Sequence, residues 1–141
     1  MRYLLDTNVC IEILRGRNDA LKMRLAQQSF VDLSLCAIVW AELPCGARLA
    51  QQPERERARL ETAFGCWPRL PFDDSAAECY GEIRAFLQRT GQLIGGNDML
   101  IAATAKANDL ILVTHNTREF TRVPGLLVED WQAQMEDGPI S

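Results

Sequence analysis

Tyr3-Leu4-Leu5-Asp6-Thr7-Asn8, continued by Val9-Cys10-Ile11-Glu12-Ile13-Leu14, is a short apolar run that stops on a carboxylate, turns, and resumes at helical spacing. Residues 3–6 read as a buried strand entering the turn Asp6-Thr7-Asn8. Asn8 suits the N-cap of a helix running to about residue 14. The same unit recurs along the chain. A second helix is expected over 20–28, a β-rich strand over 31–36, and a helix over 38–51 that Pro44 should kink. Pro53 suits the first position of a helix ending near Gly65. A short strand follows at 69–72. The helix over 75–90 carries Ala76, Cys79, Tyr80, Ile83 and Leu87 on one face and stops at Gly91. A loop at 92–96 leads to a helix over 97–108, with Asn97 as its cap, then strands at 111–114 and 126–128. Short strands alternating with helices predict an α/β fold, an α/β/α sandwich around a central, mostly parallel sheet of four to five strands.

Length and composition fit one domain over residues 1–141. Hydrophobic residues make up 48% of the chain, close to the globular norm. No apolar run approaches the ~20 residues of a membrane helix, and the apolar start is broken by Asp6, so neither a membrane anchor nor a signal peptide is expected. The five cysteines, Cys10, Cys36, Cys45, Cys66 and Cys79, contain no C-x-x-C pair. They read as reduced, mostly buried small hydrophobes of a cytoplasmic protein. The chain has one histidine, His115, which argues against a zinc site and against Ser-His or Cys-His catalysis. The net charge of −4 is unlike a generic phosphate-neutralising nucleic-acid binder.

In a parallel α/β sheet the working site lies beyond the carboxyl ends of the strands. That rule selects Asp6 after the first strand and His115-Asn116 after a later one. Helix starts nearby add Asp98 and Glu42. Each also has a plain structural reading: Asp6 as a cap, Glu42 as a solvated helix position, Asp98 as an acid favoured at a helix N-terminus, Asn116 as a turn residue. Three carboxylates in one pocket repel one another, by about 4 kcal/mol per contact at ~4 Å and an effective dielectric of ~20. A proton, a basic group or a metal ion must offset that repulsion. Oxygen-only ligands suit the hard cations Mg²⁺ and Mn²⁺, and such ions serve phosphate-ester hydrolysis.

Four stretches, in order, carry a family resemblance. Leu4-Leu5-Asp6-Thr7-Asn8 resembles the opening motif of PIN-domain nucleases. Ala41-Glu42-Leu43 with Gly46-Ala47 resembles their second acidic motif, and Asn97-Asp98-Met99-Leu100-Ile101-Ala102-Ala103 their third. Thr114-x-Asn116-x-x-x-Phe120 resembles the fourth. Thr114-His115-Asn116-Thr117-Arg118-Glu119-Phe120 and Glu129-Asp130-Trp131 are most similar to the VapC toxins of bacterial VapBC toxin–antitoxin modules. The resemblance implies an endoribonuclease using Mg²⁺ or Mn²⁺; a tRNA anticodon loop is the first expected target, and ribosomal RNA, also cut within the family, is the other. The resemblance also implies a homodimer, held inactive by a VapB antitoxin that fills the active-site groove and supplies DNA binding. Asp6 and Asp98 would be the principal metal ligands, Glu42 would complete the acidic site, and Asn116 would hold the fourth position. That position is often Asp in the family; Asn116 removes a charge, and Glu119 is the alternative source of the missing carboxylate.

Other features weigh less. Trp40, Trp67 and Trp131 read as packing or interface residues, and residues 54–59 as a solvated helix face of mixed charge. Arg15 and Arg17 stand where they can reach a phosphate. Cys10 and His115 are given no catalytic role. Two other functions remain open. A haloacid-dehalogenase-type phosphatase also places Asp after its first strand, but needs a second Asp two residues on, where this chain has Asn8. A catalytically weak PIN-fold binding module would act only through its partner.

Overall fold

The computed structural model describes residues 1–133. Its strands are β1 (Tyr3–Leu5), β2 (Leu33–Cys36), β3 (Arg69–Leu70), β4 (Ile111–Val113) and β5 (Val128–Glu129), in the order β3-β2-β1-β4-β5. All four pairings are parallel, with Leu4 opposite Ser34 on one side and Leu112 on the other. The mostly parallel sheet expected of the sequence is therefore wholly parallel among the described residues. β1 and β2 are buried at every position, which requires cover on both faces. Ser34, a polar residue in this apolar centre, donates its hydroxyl to the Tyr3 carbonyl at 2.7 Å.

The helices are α1 (Thr7–Arg15), α2 (Asp19–Ala26), α3 (Ala37–Arg48), α4 (Pro53–Phe64), α5 (Asp74–Arg89), α6 (Gly96–Ala107) and α7 (Thr117–Phe120). α1 begins two residues earlier than expected, because its cap is Asp6 rather than Asn8. The extended Asp6 backbone turns its Oδ1 onto the Val9 N–H at 2.9 Å. Gly16, at φ +67°, closes the helix in the left-handed conformation that glycine adopts without strain. α3 runs through Pro44, which leaves one rung out of the helical ladder; buried Val39, Leu43 and Ala47 hold both halves on the core. α3 stops at Arg48, short of residue 51, and Pro53 starts α4 as expected. A 3₁₀ turn, Phe30–Asp32, occupies the start of the expected second strand, so Val31 is exposed. The cap of α6 is Gly95, which displaces Asn97 into the helix.

α5 packs along α6 and α3 along α4, while α1 bridges α3 and α4. Among the described residues no helix is long and apolar enough to cross a membrane. The cysteines are all free; Cys10 and Cys36 are buried, and burial pushes both thiols above their usual pKa. Cys45 and Cys66 are exposed, contrary to the reading of the set as mostly buried.

Residues 130–133, just after β5, are clasped to the core by Trp131, which is fully buried. Its ring meets Tyr3 edge-on at 4.9 Å, and its indole N–H donates to Glu129 Oε1 at 2.9 Å. Arg24 of α2 lies over the same ring and donates to the same Oε1 at 3.2 Å. Trp131 is thus a packing residue, as its sequence context suggested. Trp131→Ala should cost about 3–5 kcal/mol, the range for deleting a large aromatic from a core. Urea denaturation measures this, and a loss below 1 kcal/mol would show that the clasp carries no stability.

Candidate active site

Because β1 lies at the sheet centre, its carboxyl end delivers Asp6 beside the end of β4, and the Asp6 N–H donates to the Val113 carbonyl at 3.1 Å. Asp6 is only 4% exposed. Its side chain caps α1 and also accepts a hydrogen bond from the Thr114 hydroxyl. Burial pushes its pKa from 3.8 up to about 6. The two hydrogen bonds oppose that rise, and the charges of Asp98 and Glu42 add to it. The capping role and the place in an acidic cluster therefore coexist in one side chain.

Glu42, half-buried on α3, accepts from the Thr7 hydroxyl at 2.6 Å, which ties α3 to the residue following Asp6. Asp98 sits in the first turn of α6, where Gly95 lets the carboxylate lie close: a Cβ at that glycine would be 3.3 Å from Asp98 Oδ2. Asp98 is also raised in pKa, by burial first and then by Glu119 and Glu42. Asn116 precedes α7, makes no side-chain cap, and donates its backbone N–H to Thr114 Oγ1 at 3.0 Å. The structure thus brings Asp6, Glu42 and Asp98 within electrostatic reach of one another and Glu119 within reach of Asp98, with Asn116 tethered to Asp6 through Thr114.

None of these four carboxylates forms an ion pair with a basic group of the described residues. Nor is any trio of His, Cys, Asp or Glu among those residues closed tightly enough to enclose a metal by itself. An open set of oxygen donors without thiolate fits a hard cation that keeps several waters and takes few protein ligands directly.

Thr7, Thr114 and Gly95 support the site yet received no role from the sequence. Thr7 and Thr114 stood inside quoted motifs, one directly after Asp6 and the other two residues before Asn116, and those hydroxyls were the available signal. Gly95 could not be found that way, because its closeness to Asp98 is a matter of three-dimensional approach.

Residues 3–126 match the PIN domain family. The chain belongs to the PIN-domain family. Among its relatives is a Shigella flexneri protein, "tRNA(fMet)-specific endonuclease VapC", 37% identical and aligned over 93% of this chain and 98% of the relative. The VapBC structure of Salmonella typhimurium, solved bound to DNA, superposes with a TM-score of 0.87 at 35% identity, covering 93% of this chain and 98% of that one. VapBC2 of Rickettsia felis, bound to a promoter fragment, gives 0.84 at 32% identity over 93% and 99%. Within the PIN family the chain is of the VapC type, and the four motifs fall in these shared spans.

The raised pKa of Asp6 has a measurable consequence. Between pH 3.8 and about 6 the native state holds this proton more tightly than the unfolded chain, so the group's contribution to stability falls as pH rises through that window. Asp6→Asn keeps a capping acceptor and removes the charge. In chelator at pH 7.5 the variant should be more stable than wild type by roughly 2–3 kcal/mol, with the gap closing towards pH 4. Denaturation at both pH values checks this; a gap that widens in acid contradicts the assignment.

Proposed function

We propose that this chain is the toxin of a toxin–antitoxin pair, a divalent-metal-dependent endoribonuclease that hydrolyses RNA phosphodiester bonds. The observation that carries the reading is the repelling trio Asp6, Glu42 and Asp98, with Glu119 acting on Asp98, all without a basic partner among the described residues at the carboxyl end of a parallel sheet. Asp6, Glu42 and Asp98 would hold Mg²⁺ or Mn²⁺, and Asn116 or Glu119 would fill the fourth position. Glu119 is favoured as the acid, since it is the leading like charge felt by Asp98.

The chemistry required of the bound cation is neutralisation of the scissile phosphate and activation of water. The chain's own residues set the stage for it. Thr114 and the Val9 N–H hold the Asp6 carboxylate, and Thr7 holds Glu42, so the acids keep their positions without rearrangement when RNA arrives. Hydrolysis adds water across a P–O bond, and the attacking oxygen must lose a proton to a carboxylate or to solvent.

The naming of the Shigella relative supports a tRNA substrate, and we assign the cut to an anticodon loop. The VapBC complexes among the structural neighbours support a VapB-type antitoxin as partner, with DNA bound only through that antitoxin. A groove of 550 Å³ between α1, α3 and α4 combines the aliphatic Ile11, Leu14, Leu43 and Leu60 with the charged Arg15, Arg17, Glu42, Glu56 and Arg59, and offers the antitoxin a seat of mixed character beside the site. We further propose that residues 1–141 act as one domain, as a homodimer, in the cytoplasm.

Asp6→Ala and Asp98→Ala should each lower RNA cleavage on the order of 10²-fold or more while the protein stays folded. Cleavage should stop in EDTA, return with Mg²⁺ or Mn²⁺, and return poorly with Ca²⁺, which prefers more ligands at longer distances. Wild-type rates in either variant, or undiminished cleavage in excess chelator, would sink the reading.

A Mg²⁺ titration separates the two candidates for the fourth position. Glu119→Gln should move half-maximal activation to higher Mg²⁺, and Asn116→Asp should move it lower. Unchanged metal dependence in Glu119→Gln would return the position to Asn116.

A further inference from the structure

A cavity of 410 Å³ opens between α1 and the loop joining β4 to α7, lined by Asn8, Glu12, Arg15, His115, Asn116 and Gln132. We propose that it is a nucleobase subsite of the RNA-cleaving site, shaped for the N–H-bearing Watson–Crick edge of guanine. The proposal rests on the ribonuclease reading and names where one base of that substrate is held.

The position comes first. Asn116 belongs both to this cavity and, through its N–H on Thr114, to the group that holds Asp6. A strand whose phosphate reaches the carboxylates therefore has a base within reach of the cavity. The volume lies in the range of small-ligand pockets, roughly 300–1,000 Å³.

The donor and acceptor pattern comes second. Arg15 and Arg17 both approach Glu12 Oε1, at 3.8 and 3.3 Å, which orients the carboxylate and offsets its charge towards a polyanion. Glu12 Oε2 is buried and has no donor among the described residues, and neither has Gln132 Oε1. Buried acceptors of this kind are rare because each forfeits its hydrogen bond to water. Both residues line the cavity, and an N–H-rich ligand would satisfy these oxygens once the side chains covering them move aside. Guanine presents N1–H and the N2 amine side by side, a pair that a carboxylate can accept together. Uracil offers a single ring N–H, and adenine and cytosine only an amine.

The third feature is a fixed flat ring. His115 is exposed, yet its Nδ1 faces both oxygens of Asp130 at 3.1 and 3.3 Å. Asp130 is itself held by the N–H groups of Gln132 and Ala133, at 2.9 and 3.3 Å. An imidazole anchored through one nitrogen supplies a stacking surface for an unpaired base, the usual way single-stranded RNA is gripped. His115 thereby gains a binding role without a part in the chemistry.

The test uses the full chain and two RNA hairpins, one with guanine at the position beside the cut and one with inosine, which keeps N1–H and lacks the N2 amine. That position is first located by selecting bound RNAs from a randomised pool in chelator, and by sequencing the ends wherever the RNA is cut. Wild type should cleave and bind the guanine hairpin about tenfold better than the inosine one, as expected for losing one partner of a buried acceptor. Glu12→Gln should erase the guanine–inosine difference, and His115→Ala should raise KM for both hairpins with little change in kcat. Affinities measured in chelator, where nothing is cut, must show the same order. If wild type binds with the guanine preference but cuts no RNA in Mg²⁺, the ribonuclease reading fails and the subsite stands. Cleavage with no guanine preference, or with a preference intact in Glu12→Gln, overturns the subsite. Loss of inhibition by the antitoxin in Glu12→Gln, with RNA preference unchanged, would assign the cavity to the partner protein and overturn it as well.

Discussion

Asp6 carries a negative charge to the buried end of the central strand, and most of the site exists to make that tolerable. A carboxylate removed from water is destabilised, and two acidic neighbours worsen its position. The protein meets part of the cost with hydrogen bonds from the Val9 N–H and the Thr114 hydroxyl, and with the positive end of α1. The remainder is unmet by any basic side chain among the described residues. The cation proposed above would supply that remainder, and stability and the proposed function would then pull in opposite directions at the same residue.

The parallel sheet makes this arrangement possible. Every strand delivers its carboxyl end to one edge, and every following helix begins there, so acids from α3, α6 and α7 meet the one from β1 without long loops. Hydroxyls then pin what the backbone brings near: Thr7 fastens Glu42, and Thr114 serves Asp6 and the Asn116 backbone at once. Farther along, the Arg24–Glu129–Trp131 clasp holds the segment after β5 on the core. Asp130, inside that segment, is what reaches His115. A packing contact at Tyr3 is in this way connected to the wall of a cavity beside the carboxylates.

The two hollows around the site differ in chemistry. The groove among α1, α3 and α4 sets aliphatic side chains among charged ones of both signs and suits an amphipathic peptide. The cavity beside Asn116 is lined by amides, an imidazole and a carboxylate with an unsatisfied oxygen, and suits a polar planar ligand. α1 contributes to both, with Ile11 and Arg15 shared between them. An occupant of either hollow is therefore in contact with the same helix that Asp6 caps.

Much of this was legible in the residues themselves. Apolar runs at strand length, helical spacing and the placement of Gly and Pro specify the α/β alternation, because burial periodicity is a local property of the chain. The four motifs singled out Asp6, Glu42 and Asp98, which the fold places near one another. Boundaries were less secure: the residue that caps α1 is Asp6 and not Asn8, since either side chain can cap and only the backbone path after β1 decides between them. What the tertiary structure alone decided are the relations between residues far apart in sequence. Glu42 is tied to Thr7 across 35 positions, Glu119 weighs on Asp98, and Glu12 is left with an oxygen that nothing satisfies. Distances, burial and missing partners arise only when separate elements pack, and electrostatic coupling depends on those quantities rather than on composition.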